Sequence, residues 1–221
     1  TLLTHGEYAF SYCTALKSVE LNGGCKKISG NAFADCRSIE TLEIPSGVKE
    51  IGEYAFSGNK NLAAVVLPEG IEKIEEGAFY GCAALKQITV PGSVVAIGNM
   101  AFMNAAAMEK VAIENGVKSI GVQCFYGCAA LDSVTLPQTI ENIDEYAFDK
   151  TAVKDSAQGV AYIGGWAVGN NDINAAEITV REGTVGVADL AFRELPSVGK
   201  VTLPSTLEYL GSYNFYKAGN L

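Results

Sequence analysis

Apolar residues recur along this chain in a fixed line that restarts every 23 positions. Ile39, Leu42 and Ile44 are followed by Leu62, Val65 and Leu67, by Leu85, Ile88 and Val90, by Met108, Val111 and Ile113, and by Leu131, Val134 and Leu136. The last two members of each line alternate with other residues, the pattern of a strand with one buried face. Proline follows directly in five coils, at Pro45, Pro68, Pro91, Pro137 and Pro204; a residue with no N–H ends a sheet ladder. Further apolar columns, such as Val48 with Ile51 or Ile71 with Ile74, carry the chain across the repeat. A phenylalanine closes it. Phe10, Phe33, Phe56, Phe79, Phe102, Phe125 and Phe148 are spaced by 23, as are Phe192 and Phe215. Self-similarity at this period predicts a solenoid. Four before seven of the nine Phe stand Gly6, Ser29, Gly52, Gly98, Gly121, Asp144 and Gly211, and an acid comes next in five coils, at Glu7, Glu53, Glu76, Glu145 and Asp189. Cap residues followed by acids suit the exposed N–H groups at a helix start. The pattern therefore predicts a short helix or 3₁₀ turn on one side of every coil.

The complete line, L-x-x-V-x-L-P-x-x-V-x-x-I-G-x-x-A-F-x-x-C, is nearly whole from Leu131 to Phe148. It resembles the BspA-like, or Treponema pallidum type, leucine-rich repeats, and the resemblance covers essentially the whole chain. The expected fold is an α/β solenoid: a right-handed leucine-rich repeat array of 23-residue coils spanning residues 1–221, about nine coils to match the nine phenylalanines. A concave parallel β-sheet would be backed by short convex helices or turns. The resemblance also implies a cell-surface or secreted protein of a host-associated bacterium, one that binds proteins and adheres to host or neighbouring cells.

The repeat breaks between Phe148 and Phe192, which are 44 apart rather than 46. Within the degenerate coil at 152–174, Val160–Ile163 and Trp166–Val168 flank Gly164 and Gly165, and a Gly pair between two alternating runs signals a β-hairpin. This insertion is expected to stand in for the coil's helix, with Tyr162, Trp166 and Val168 covering the core. It could serve as a binding feature, but a plug that keeps the stack continuous is the reading preferred. Both ends fall inside a repeat, which predicts a fragment of a longer protein.

Composition narrows the chemistry. With 16 Lys+Arg against 25 Asp+Glu and a net charge of -9, no nucleic-acid partner is expected, because such a surface needs clustered positive charge. No run of apolar residues is long enough to span a bilayer, so no membrane insertion is expected in this chain. The six cysteines sit in core columns. Cys13, Cys36, Cys82 and Cys128 lie three after Phe, where other coils carry Asn59, Ala105, Thr151, Leu195 or Ala218. Free thiols are expected, with Cys13 to Cys36 the one bridge to check. The lone His5 has no partner for zinc or for a cysteine nucleophile, and the run Asn170, Asn171, Asp172, Asn174 lacks the spaced acids of an EF-hand. No catalytic residue, cofactor or metal is expected, and the chain reads as a monomeric non-enzyme.

Surfaces remain. The outward strand positions, expected on the concave face, include Gln87, Thr89, Lys110, Ser133, Thr135, Glu177 and Thr179: small, polar and Thr-rich, with no aromatic. On the opposite side Tyr54, Tyr80, Tyr126 and Tyr146 lie two before or one after Phe. They form either an exposed stripe for a ligand or, the preferred reading, rings that seal the seams between coils. The leading function is protein binding or adhesion at a cell surface. The alternative is a passive spacer presenting another domain.

Overall fold

A computed structural model of the chain describes residues 6–21, 23–153, 159–218 and 220–221. Very short and slightly longer strands alternate along it: β1 (Lys27–Ile28), β2 (Thr41–Glu43), β3 (Glu50–Ile51), β4 (Ala64–Val66), β5 (Lys73–Ile74), β6 (Gln87–Val90), β7 (Ala96–Ile97), β8 (Lys110–Ile113), β9 (Ser119–Ile120), β10 (Ser133–Thr135) and β11 (Asn142–Ile143). After the break come β12 (Val160–Ile163), β13 (Trp166–Asn170), β14 (Glu177–Thr179), β15 (Gly186–Val187), β16 (Lys200–Thr202) and β17 (Tyr209–Leu210).

Most coils thus contribute one short and one longer strand, which pair parallel with their counterparts in neighbouring coils. Before the break the short strands form a six-stranded sheet in the order β1-β3-β5-β7-β9-β11, and after it β12-β13-β15-β17 form a separate one. The longer strands, on the leucine-rich line, pair as β2-β4, β6-β8-β10 and β14-β16. Gln87 opposes Lys110 and Lys110 opposes Ser133, so every column of the repeat becomes a line of stacked side chains. One face of each strand is buried: Ile88 and Val90 are enclosed while Gln87 and Thr89 are exposed. Proline works as expected at the strand ends. Val48, Ile71 and Val94 donate N–H groups to the carbonyls of Pro45, Pro68 and Pro91 at 3.0–3.1 Å, closing a turn in which no proline N–H is needed.

The phenylalanines form a continuous ladder. From Phe10 to Phe148, successive ring centroids lie 5.1–5.5 Å apart with interplanar angles of 2–11°. Offset stacking at this distance is the arrangement aromatic pairs favour. Phe56, Phe79, Phe102 and Phe125 are wholly enclosed, whereas Phe10 on the first coil remains 38% exposed.

The expected convex helices are not formed. The segment around each Phe is a run of turns, and its backbone explains why. Ala55 and Ser57 donate back three residues, to Gly52 and Tyr54, at 3.2 and 3.0 Å, but the intervening N–H groups of Tyr54, Phe56 and Gly58 reach the next coil's Glu76, Ala78 and Tyr80 carbonyls at 2.7–2.8 Å. Half the donors a helix would use are spent on the neighbouring coil. Tyr54 and Gly58 also have φ of 53° and 71°, a left-handed conformation that a right-handed helix cannot hold. With no helix, the acids at the turn have no helix dipole to match, and two of them bond neighbouring coils. Asp189 Oδ1 accepts the Ser212 N–H at 2.6 Å, and Glu76 Oε1 accepts the Tyr54 hydroxyl at 2.6 Å.

At the break, β12 and β13 pair antiparallel with Ile163 opposite Trp166 and Gly164 and Gly165 between them. Residues 154–158 of this insertion lie outside the described residues. The insertion does not take the position of a helix: β13 runs parallel to β15 in a separate sheet of order β12-β13-β15-β17, with Trp166 opposite Gly186. A Cβ on Gly186 would lie 2.6 Å from the indole, so glycine is what lets Trp166 lie flat and stack on Tyr209 at 5.9 Å. Tyr162 and Trp166 are buried and Val168 packs against the core. Arg181 holds the tip, with its guanidinium 3.9 Å from the Tyr162 ring centroid and bonded to the Gly164 carbonyl at 2.9 Å. The Asp189 N–H reaches the Ile143 carbonyl at 2.9 Å, closing the gap beside the insertion. Asp144 lies at this junction, and burial, then the charge of Asp189, pushes its carboxyl above the usual range.

Candidate functional site

The exposed face of the longer strands gathers five of the seven candidate residues. Gln87, Lys110 and Ser133 stand in one row and Thr89 and Thr135 in another, with Ala112 between them, all on β6-β8-β10. Strand pairing holds the rows rigidly in register, while the side chains themselves project into solvent. Glu177 and Thr179 belong to the separate pair β14-β16, beyond the insertion, where Glu177 meets Lys200 at 3.3 Å. At the ends of β8 and β10 a recess of about 730 Å³ opens between Ile113, Glu114, Asn115 and Leu136, Pro137, Gln138, with Thr135 on its wall.

The tyrosines are placed differently. Tyr54 lies across the next coil's Gly77; a Cβ there would collide with the ring, and Gly77 has φ of 59°. Its ring meets Tyr80 edge-on at 6.5 Å. The Glu76 hydrogen bond, then burial, pushes the Tyr54 hydroxyl up to about 12. Lys150 Nζ sits 4.8 Å from the Tyr126 ring centroid, and the Arg193 guanidinium 5.1 Å from that of Tyr146. All four rings are half-buried against a neighbouring coil, whereas Tyr8, Tyr213 and Tyr216 near the ends are exposed.

The cysteine column has a role the sequence does not declare. Cys36, Cys82 and Cys128 donate Sγ–H to the carbonyls of Phe10, Phe56 and Phe102 on the preceding coil, at 3.0–3.2 Å. Asn59 occupies the same column and bonds the Phe33 and Phe56 carbonyls at 2.8 Å each. No disulfide joins Cys13 to Cys36; all six cysteines are free thiols. Burial pushes Cys82 and Cys128 up to about 12 and Cys124 well above the ordinary thiol value, so none of the three supplies a thiolate nucleophile. Among the described residues no group of three or more His, Cys, Asp or Glu could hold a metal, and no helix is long and apolar enough to cross a membrane. His5 lies outside the described residues. Between Asn170 and Asn174 the polar groups bond one another: Asn170 Nδ2 to the Asp172 carbonyl at 2.7 Å, and the Asn174 N–H to Asp172 Oδ1 at 3.0 Å.

The short-strand side carries a feature that sequence reading misses. Along its lower edge the N–H groups of Lys49, Glu72, Lys118 and Glu141 each bond the carbonyl of Lys26, Lys49, Val95 and Lys118 at 2.8 Å. The rung between Glu72 and Val95 is open: neither the Val95 nor the Ala96 N–H bonds the Glu72 carbonyl, and β5 meets β7 only at Ile74 and Ile97. A recess of about 490 Å³ fills the opening, walled by Ile74, Val95, Ala96 and Gly98 and rimmed by Glu72, Lys73 and Glu75. The available signal was in the columns. Where Val95 and Ala96 stand, other coils carry Lys49 and Glu50, Glu72 and Lys73, Lys118 and Ser119, or Glu141 and Asn142.

The model for the BspA type leucine-rich repeat region, in six copies, matches residues 1–108, 50–173 and 95–221. The chain belongs to the BspA-type leucine-rich repeat family. Among solved structures, this BspA-type array is similar to the Treponema pallidum leucine-rich repeat protein at 24% identity and a TM-score of 0.52, covering 86% of this chain and 72% of that one. It is also similar to the pneumococcal vaccine antigen PcpA at 21% identity and a TM-score of 0.51, covering 83% of this chain and 57% of that one. A leucine-rich cell surface protein from Faecalibacterium prausnitzii aligns at 22% identity and a TM-score of 0.47, over 98% and 67% of the two chains. A comparison with curated protein sequences returned no match. The Treponema pallidum protein and PcpA share the fold of this BspA-type array, and in this chain nearly every buried side chain is committed to the stack.

Proposed function

We propose that this BspA-type array is a non-enzymatic protein of the cell surface or the secreted fraction that binds another protein, and that the exposed face of β6-β8-β10 is the surface it uses. Leucine-rich repeat proteins are typically protein-binding, which supports the general reading. The observation that carries the choice of face is its idle rigidity. Gln87, Thr89, Lys110, Ser133 and Thr135 are exposed in fixed rows beside a recess of about 730 Å³, whereas the tyrosines of the other side are half-buried between coils. A preorganised backbone lowers the ordering cost of association.

The test is binding of the purified protein to immobilised matrix proteins and to epithelial cells, with the variant carrying Thr89→Glu, Lys110→Glu and Thr135→Glu in parallel. Saturable binding at micromolar concentration, lost at least tenfold in the variant while its melting is unchanged, is the expected result; tenfold corresponds to about 1.4 kcal/mol. No saturable binding to any of these surfaces would leave the array a passive spacer.

A further inference from the structure

The open rung between β5 and β7 leaves backbone groups of the short-strand side unmet. A sheet that bonds continuously on either side presents the Val95 N–H and the Glu72 carbonyl without each other. The hydroxyl oxygen of Ser93, in the same recess, is buried and has no hydrogen-bond partner; Ser93 stands where Gly47, Gly70 and Gly116 occur in neighbouring coils. Buried polar groups of this kind ordinarily find partners. The charge pattern breaks at the same rung. Lys49 pairs with Glu72 at 3.0 Å and Lys118 with Glu141 at 2.7 Å, while Val95, between the two pairs, is 57% exposed and uncharged.

The slot is not isolated. Glu75 on its rim, 3.9 Å from the Lys73 ammonium, also lines a second, polar recess of about 340 Å³, where Glu7, Glu50 and Glu53 face Lys27. Lys27 is itself paired with Glu50 at 2.6 Å. An acidic trough therefore leads into an apolar slot that ends in unpaired backbone and hydroxyl groups. From Glu7 to Gly98 the two cross five coils, or four rungs at about 4.8 Å, roughly 19 Å; an extended peptide covers that in about six residues at ~3.3 Å each.

We infer that this trough and slot bind an extended peptide segment of a partner protein, one with basic residues followed by an aliphatic residue. The basic side chains lie over Glu7, Glu53 and Glu75, the aliphatic side chain fills the slot beside Ile74 and Val95, and the peptide's own backbone meets the Val95 N–H, the Glu72 carbonyl and the Ser93 hydroxyl. The inference goes beyond the reading of the longer-strand face, since it places a second contact on the other sheet and gives its partner a chemistry.

The probe is the fluorescein-labelled peptide Lys-Thr-Lys-Thr-Val-Val, followed by anisotropy against the whole 221-residue chain. Saturation below about 100 μM is expected, with at least tenfold weaker binding of the Glu-Thr-Glu-Thr-Val-Val and Lys-Thr-Lys-Thr-Asn-Asn controls. Val95→Lys, which restores the charged pattern of its column at an exposed position, should weaken the parent peptide at least tenfold with unchanged melting. The double variant Glu53→Gln and Glu75→Gln should weaken it several-fold and flatten its salt dependence. No saturation below about 1 mM, or affinity indifferent to either variant, overturns the inference. Equal loss in the variant carrying Thr89→Glu, Lys110→Glu and Thr135→Glu overturns the assignment to this slot. Matrix or cell binding that survives Val95→Lys but not that triple change upholds the longer-strand reading whatever the peptide does, so the two fail separately.

Discussion

Truncating Phe102 to alanine tests whether the ring ladder is what holds the array together. The ring is fully buried and lies 5.4 Å from both Phe79 and Phe125. A buried Phe removes roughly 150–250 Å² from water, worth about 4–6 kcal/mol at ~25 cal/mol per Å². Alanine keeps part of that, so the net loss falls at roughly 3–5 kcal/mol, the usual range for a buried Phe→Ala. The loss should sit at the upper end, because two stacked neighbours lose a partner at once, each contact contributing about 0.5–1.5 kcal/mol. Phe10→Ala is the internal control: that ring is 38% exposed and has one stacked neighbour, Phe33. It should cost less than half as much. The assay is equilibrium urea unfolding followed by far-ultraviolet circular dichroism, with m compared between variants because repeat arrays can leave two-state behaviour. A Phe102→Ala loss below about 1 kcal/mol, or one no larger than that of Phe10→Ala, would refute the reasoning.

Three further outcomes are expected. In the native protein a thiol reagent should modify Cys13 rapidly and the five buried cysteines only after unfolding; quick labelling of Cys82 or Cys128 at neutral pH would contradict their enclosure. Tyr54 should ionise at about 12 in a spectrophotometric titration, and Glu76→Gln should bring it down toward the ordinary 10. Because the folded value is the higher one, the stability linked to Tyr54 is fully present below pH ~10 and is lost as the pH rises toward 12. Gly77→Ala should lower the melting temperature through both its left-handed φ, at about 1–2 kcal/mol, and the Tyr54 ring it would displace. Adding Tyr54→Ala to it should relieve the steric part alone, and additive losses would show that the ring does not lie on Gly77.

The fold was legible because a period of 23 leaves little freedom: a column that is apolar in every coil can only be the lining of a stack. The helix expectation failed for a specific reason. Gly52, Ala55 and Phe56 have the spacing of a helical turn, but the same spacing serves turns that donate back three residues. What separates the two is where the alternate N–H groups go, and their acceptors, Glu76, Ala78 and Tyr80, lie a full coil away. One local signal was present. Two after Phe stand Asp35, Gly58, Gly81, Asn104 and Gly127, all with positive φ, and residues of these types in one column point to left-handed backbone. Of the candidate surfaces, the exposed rows on β6-β8-β10 followed directly from alternation, since a side chain between two buried neighbours must face out. The open rung did not. Its trace in the sequence is the replacement of charge by Val95 and Ala96, and that reads as a minor irregularity until the bonding of its neighbours is known.

The Phe ladder stops at Phe148 and resumes at Phe192, and among the described residues no ring contact joins the two. Where each coil is coupled to its neighbours alone, such a gap divides cooperativity. The coils before it share six consecutive stacked Phe pairs from Phe10 to Phe148; among the described residues those after it share one Phe pair, at 5.9 Å. Under heat or tension the C-terminal coils should therefore come apart first as their own unit, with the insertion as a fuse that spares the longer stack.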